Sequence, residues 1–114
     1  MEELKEKVTQ IIEWIEAKKG EDVLELDVRG KSSFTDYFII CNGNGDIHTK
    51  AIANHILDKA KENKIYIMGT EGMETGKWIL VDLVDIVIHI FDAPVREFYQ
   101  LEDLWNKMPV RKNT

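Results

Sequence analysis

The chain of 114 residues is poor in the residue types that carry covalent and metal chemistry, with one cysteine, three histidines and two prolines. A lone cysteine excludes an intrachain disulfide and fits a reducing compartment. Cys41 ends the apolar run Tyr37-Phe38-Ile39-Ile40, and no histidine or basic neighbour in sequence would activate its thiol. A small buried hydrophobe is therefore favoured over a nucleophile. His48 and His55 stand seven residues apart, and neither they nor His89 have a second His or Cys at ligand spacing, so no zinc set is expected. No run approaches the roughly 18 apolar residues that cross a bilayer. The start Met1-Glu2-Glu3-Leu4-Lys5 also lacks a basic segment followed by an apolar one. The expectation is a cytoplasmic protein, neither exported nor embedded. A basic excess is missing too: 15 Lys and Arg stand against 21 Asp and Glu, a formal charge of −6. Such a surface repels nucleic acid on average, which argues against direct sequence-specific contact with it. An RNA-rich particle would be approached through a basic protein partner.

What is present describes an ordinary globular chain, 44% hydrophobic and 32% charged. The length suits a single domain over residues 1–108, with residues 109–114 as a fraying tail. Leu4, Val8, Ile11 and Ile15 recur at helical spacing, and the pattern ends at Lys18-Lys19-Gly20. The lysines are placed in the last turn, and Gly20 is given the left-handed conformation that closes a helix. Strands follow at Val23–Val28 and Tyr37–Cys41, the second continuous enough to be central. Asn42-Gly43-Asn44-Gly45 breaks that strand. Asp46 then caps a helix whose inward stripe is Ile52, Ala53, Ile56, Leu57 and Ala60, with Ile47 facing away. Ile65–Met68 reads as a strand returning parallel after a crossover. Trp78–Asp82 and the strand through His89 form a hairpin around Leu83-Val84-Asp85. A last helix begins near Pro94 and carries Phe98, Leu101, Leu104 and Trp105. The fold class is α/β (α+β), a single mixed sheet of about five strands with three helices.

Three short helices would have difficulty covering both faces of such a sheet. Alternation separates Trp78, Leu80 and Asp82 from Ile79, Val81 and Leu83, and Val87, His89 and Phe91 from Ile86, Ile88 and Ile90. The aliphatic sets are core, so the Trp78 and His89 sets are the expected exposed, working face.

Several chemical readings compete for these residues. The Asn42–Gly45 loop between strand and helix resembles a phosphate cradle but lacks a Lys-Ser/Thr pair and the full dinucleotide glycine pattern, which favours a plain turn. Asp36, Asp82 and Asp85 would make a magnesium set for nucleotidyl transfer only if they converged, and residues 82 and 85 flank a reversal. Turn-forming aspartates are the simpler reading. His89 in an apolar strand is more naturally a hydrogen-bonded structural residue than a base. Trp78 begins a strand after the polar Gly69–Lys77 connection, and a core tryptophan and a binding hot spot explain it equally well. Trp105 is better read as core.

Asp27-Val28-Arg29-Gly30-Lys31-Ser32-Ser33 with Thr35-Asp36-Tyr37-Phe38-Ile39-Ile40, then Ala51-Ile52-Ala53, Glu71-Gly72, Trp78–Asp82 with Asp85–His89, and Arg96, Tyr99, Leu101-Glu102 and Leu104-Trp105 together resemble the ribosomal silencing factors, also called the Iojap family. The resemblance runs from about residue 4 to residue 106. It implies a nucleotidyltransferase-like fold without the catalytic carboxylates, a non-enzymatic role and no cofactor or metal. The implied partner is protein fourteen of the large ribosomal subunit, and the implied mechanism is steric: occupying that place keeps the small subunit from joining and lowers translation when nutrients are scarce. The partner-binding residues expected on this chain are Glu71, Trp78, Leu80, Asp82, Asp85 and His89. The family usually carries Gly where Val84 stands. A positive φ there would strain valine by about 1 kcal/mol or more, so a shifted turn is expected. The alternatives are a magnesium-dependent nucleotidyltransferase-like or nucleotide-binding protein, and a homodimer that hides the same face when the protein is free.

Overall fold

The computed structural model describes residues 2–30 and 35–93. The helix expected over Phe98, Leu101, Leu104 and Trp105, and the tail after it, lie outside the described residues. Two helices and five strands are present among those described: α1 (Glu2–Ala17), β1 (Glu21–Asp27), β2 (Tyr37–Gly43), α2 (Asp46–Glu62), β3 (Gly69–Glu71), β4 (Trp78–Asp82) and β5 (Ile86–Asp92). The strands form one mixed sheet in the order β1-β2-β5-β4-β3. Only β2 and β5 run parallel, and every other neighbouring pair is antiparallel. The two continuous apolar runs thus occupy the centre, where both faces of a strand leave water.

Helix α1 forms on the expected stripe, with Val8, Ile11 and Ile15 buried. Its end differs from the expectation. Lys19 takes the left-handed backbone at φ 63°, and the two lysines fall just past the helix rather than in its last turn. Gly20 serves another need. Its N–H donates to the Ile15 carbonyl at 2.9 Å, and a Cβ there would strike the Ile15 side chain. Helix α2 buries Thr49, Ile52, Ala53, Ile56 and Ala60 and leaves Ile47 82% exposed. Its cap is Gly45, while Asp46 is the first helical residue.

No strand covers residues 65–68. Ile65 and Ile67 pack against the helix-side core, whereas Tyr66 and Met68 are exposed, so the alternation belongs to an extended connection with one buried side. Period-two patterning is the same in such a segment and in an edge strand. Both edges of β5 are already taken by β2 and β4, so the returning chain pairs with β4 instead, through Gly69–Glu71. It does run in the sense of β2, with two strands between them.

Both helices pack on one face, over Ile79, Val81, Ile86, Ile88 and Ile90. The other face carries a second, smaller core of Val28, Phe38, Ile40, Val87 and Phe91, with Leu24, Leu26, Trp78 and Leu80 packed against it. The expectation of an exposed second face therefore holds only toward β4, since Val87, His89 and Phe91 on the central strand are at most 3% exposed.

The hairpin tip is not shifted. Val84 adopts φ 79°, the Asp85 N–H donates to the Leu83 carbonyl at 3.1 Å, and the Val84 N–H donates to Asp82 Oδ1 at 2.9 Å. A three-residue turn centred on a residue at positive φ is rare, and a β-branched side chain is the least suited to it. We expect Val84→Gly to stabilise the fold by about 1 kcal/mol, because the strain relieved exceeds the added entropy of an unfolded glycine. Thermal unfolding would read this as a rise of about 4 °C or more.

Candidate functional site

Trp78 is placed by a loop tied down at several points. The Gly76 N–H donates to the Gly72 carbonyl at 3.0 Å. Gly72 passes so close to the Trp78 carbonyl that any Cβ would collide with it, and its φ of 82° is unfavourable for other residues. The buried Thr49 hydroxyl lies 2.6 Å from the Gly76 carbonyl and 2.9 Å from the Asp46 carbonyl, tying the loop to the first turn of α2. On the far side the Asp92 N–H donates to the Lys77 carbonyl at 3.0 Å. Sequence patterning marked Gly72 and Gly76 as loop residues. It did not find Thr49, whose only signal is a hydroxyl on the inward stripe of a helix.

From this anchor β4 presents Trp78, Leu80 and Asp82 in alternation, all half-buried. Cross-strand register puts Glu71, Leu80 and His89 in one row, since Glu71 faces Leu80 on β3 and His89 faces Leu80 on β5. Glu71 is exposed and His89 is fully buried. His89 sits among three aromatic rings, with centroids 5.3 Å away for Phe38, 5.9 Å for Trp78 and 6.3 Å for Phe91. Trp78 lies against Phe91 at 4.7 Å. The indole Nε1–H donates to His89 Nδ1 at 2.9 Å, which fixes the neutral tautomer with its proton on Nε2. That nitrogen is buried and has no hydrogen-bond partner among the described residues. Burial alone pushes the His89 imidazole down to about 3.

His89 is therefore not a surface contact, contrary to expectation. It lies beneath the surface that Trp78, Leu80, Asp82 and Glu71 form. Asp85 is also set apart, because its carboxylate pairs with Lys7 of α1 at 3.5 Å, on the helix side of the sheet. Asp82 shapes the hairpin tip through Val84, so the two carboxylates are engaged in different places. Among the described residues no group of three or more His, Cys, Asp or Glu side chains gathers at metal-binding distance.

The Asn42–Gly45 loop is occupied by the protein itself. The Asn44 N–H donates to His48 Nδ1 at 2.8 Å, and the Gly45 N–H donates to Asp92 Oδ1 at 3.3 Å. A carboxylate at this helix start opposes an incoming phosphate. His48 Nε2 lies 2.7 Å from the Lys18 carbonyl, so the half-buried ring joins the end of α1 to the start of α2.

The arrangement is an acidic and partly apolar strip on one edge of a sheet with an aromatic cluster beneath it. Comparison with known proteins gives the class, that of small ribosome-associated proteins. A family model described as "Ribosomal silencing factor during starvation" matches residues 1–114. The chain is similar to the Bacillus subtilis ribosomal silencing factor RsfS, with 46% identity over 93 residues, covering 82% of this chain and 79% of that one. A crystal structure of a Chromobacterium violaceum protein superposes with a TM-score of 0.84 at 36% identity, covering 94% of this chain and 89% of that one. A more distant relative is the mouse "Mitochondrial assembly of ribosomal large subunit protein 1", 28% identical over 102 residues, which cover 86% of this chain and 44% of the mouse protein. The chain belongs to the ribosomal silencing factor family, and its role is ribosome-associated silencing.

Proposed function

We propose that the protein is a cytoplasmic translational repressor that docks on protein fourteen of the large ribosomal subunit and, by its bulk, blocks the small subunit from joining. Translation would thereby fall when nutrients are scarce. The observation that carries this reading is the strip Glu71, Trp78, Leu80 and Asp82 on the sheet face opposite α1 and α2. Its apolar centre and carboxylate rim match a basic protein surface. The net charge of −6 favours a basic protein over bare RNA as the contact. Family membership supplies the ribosome, and the mouse relative's name refers to the large subunit. Trp78 supplies most of the affinity, while Glu71 and Asp82 set orientation and association rate. His89 acts from below.

Sedimentation of separated subunits at magnesium concentrations that normally drive them together tests the reading. The protein should travel with the large subunit, and the peak of joined ribosomes should shrink. A protein that stays at the top of the gradient while the joined peak persists would exclude it.

A further inference from the structure

A histidine at position 89 is expensive. It occupies the middle of a central strand at 0% exposure, and its Nε2–H has no acceptor among the described residues. Burying a polar donor unsatisfied costs about 1–3 kcal/mol, and an aromatic or aliphatic side chain would fill the same space without that cost. Among the described residues the one polar contact the ring makes is at Nδ1, where it accepts the Trp78 Nε1–H at 2.9 Å. Its other surroundings are apolar: Phe38 stands edge-on at 70°, Phe91 lies nearly parallel at 15°, and Ile40 and Leu80 are its partners on the adjacent strands. A side chain whose one satisfied atom serves its neighbour is explained by that neighbour.

We propose that His89 is a positioning residue for docking: it holds the Trp78 indole in one orientation against the sheet and satisfies the indole donor from within, so that the partner meets a fixed, apolar aromatic surface. The inference rests on the docking reading above. Two consequences follow from the geometry. Half-buried Trp78 is tilted by 37° over Phe91, a contact without strong direction, and the bond to Nδ1 adds a directional one that favours a single placement of the indole. A partner facing an already satisfied indole need offer no acceptor, which removes a desolvation cost from association.

His89→Phe is the informative variant, because it keeps an aromatic ring among Phe38, Trp78 and Phe91 while deleting both the acceptor and the orphan donor. A purely structural histidine would lose stability and binding together. The positioning role predicts the opposite pairing: a melting temperature unchanged or raised, with binding to the large subunit weakened about fivefold or more, the worth of one oriented hydrogen bond. His89→Asn, whose side-chain oxygen reaches the place of Nδ1, should recover part of the binding. In a Trp78→Phe background, which has no indole N–H, His89→Phe should cause no further loss.

Nitrogen-15 spectroscopy of the wild-type protein reads the contact without any variant. The His89 ring should be the Nε2–H tautomer, with a coupling across the bond from the Trp78 indole. A ring with its proton on Nδ1 would overturn the proposal even if His89→Phe did not fold. Wild-type binding by His89→Phe, or an equal loss in the Trp78→Phe background, would overturn it as well and leave the docking reading untouched. Failure of the wild-type protein to bind the large subunit would remove both.

Discussion

Trp78→Ala should weaken binding to the large ribosomal subunit about thirtyfold or more, a loss of 2 kcal/mol or more on the scale typical of a central aromatic anchor. The residue has the features of such an anchor. It is half-buried, rests on Phe91 at 4.7 Å, and is hydrogen-bonded to a buried ring rather than to mobile solvent groups. Its conformational entropy is thus largely lost before the partner arrives, and little remains to be lost on docking. The same packing means that the truncation also reaches the fold. Removing the indole strips cover from the second core and leaves His89 Nδ1 without its donor, so stability should fall by roughly 1–3 kcal/mol. Binding must therefore be compared well below the melting temperature of the variant, with circular dichroism confirming native structure. Trp78→Phe serves as the gentler control, since it retains the contact with Phe91. Sedimentation with large subunits or a titration followed by anisotropy would give the ratio. A Trp78→Ala protein that is folded and binds as the wild type does would move the interface to another face. One that is unfolded would make Trp78 a core residue.

Much of this arrangement could be read from the order of residues. Strict alternation assigned the faces of β4 and β5 correctly, because both strands lie in a sheet whose two sides have different neighbours. The stripes of α1 and α2 were equally plain. Depth was not legible. His89, Val87 and Phe91 were expected beside Trp78 at the surface, yet alternation says only which side a residue faces, and β5 is covered because it is central. Strand order depends on contacts between residues far apart in sequence, such as Tyr37 facing Ile86. For the same reason Ile65–Met68 looked like a strand, although the paired segment begins only at Gly69, the next residue. Asp85 was grouped with Asp82 by proximity in sequence, and the turn at Val84 sends its carboxylate to Lys7. The links that hold the Trp78 loop, Thr49 to Gly76 and the close pass of Gly72, join residues whose chemistry gives no local pattern. The family resemblance supplied the partner class, which no amount of periodicity would have done.

The buried imidazole makes stability depend on acidity over a defined range. In the folded protein His89 is held neutral until about pH 3, while in the unfolded chain it takes up a proton at its ordinary value of 6.5. Between those values the unfolded state binds more protons than the folded one, so lowering the pH favours unfolding by up to about 1.4 kcal/mol per pH unit. Above 6.5 both states are neutral at this site and the contribution is flat. Denaturant unfolding at pH 7 and pH 5 should therefore differ by about 2 kcal/mol from His89 alone, a large share of the stability of a small domain. The exposed Asp27, whose bond to Arg29 lowers its carboxyl to about 2, acts in the same direction. Its window opens only below the ordinary carboxylate value of 3.8 and leaves the upper range to histidine. The measurement that isolates the effect is the same pair of unfolding curves for His89→Phe. Its stability should change by about 2 kcal/mol less than the wild type over this interval. An equal change in both proteins would place the proton uptake elsewhere and show that the ring is open to water. If the difference appears, acid loosens the support beneath Trp78, and docking on the ribosome should weaken as the folded population falls.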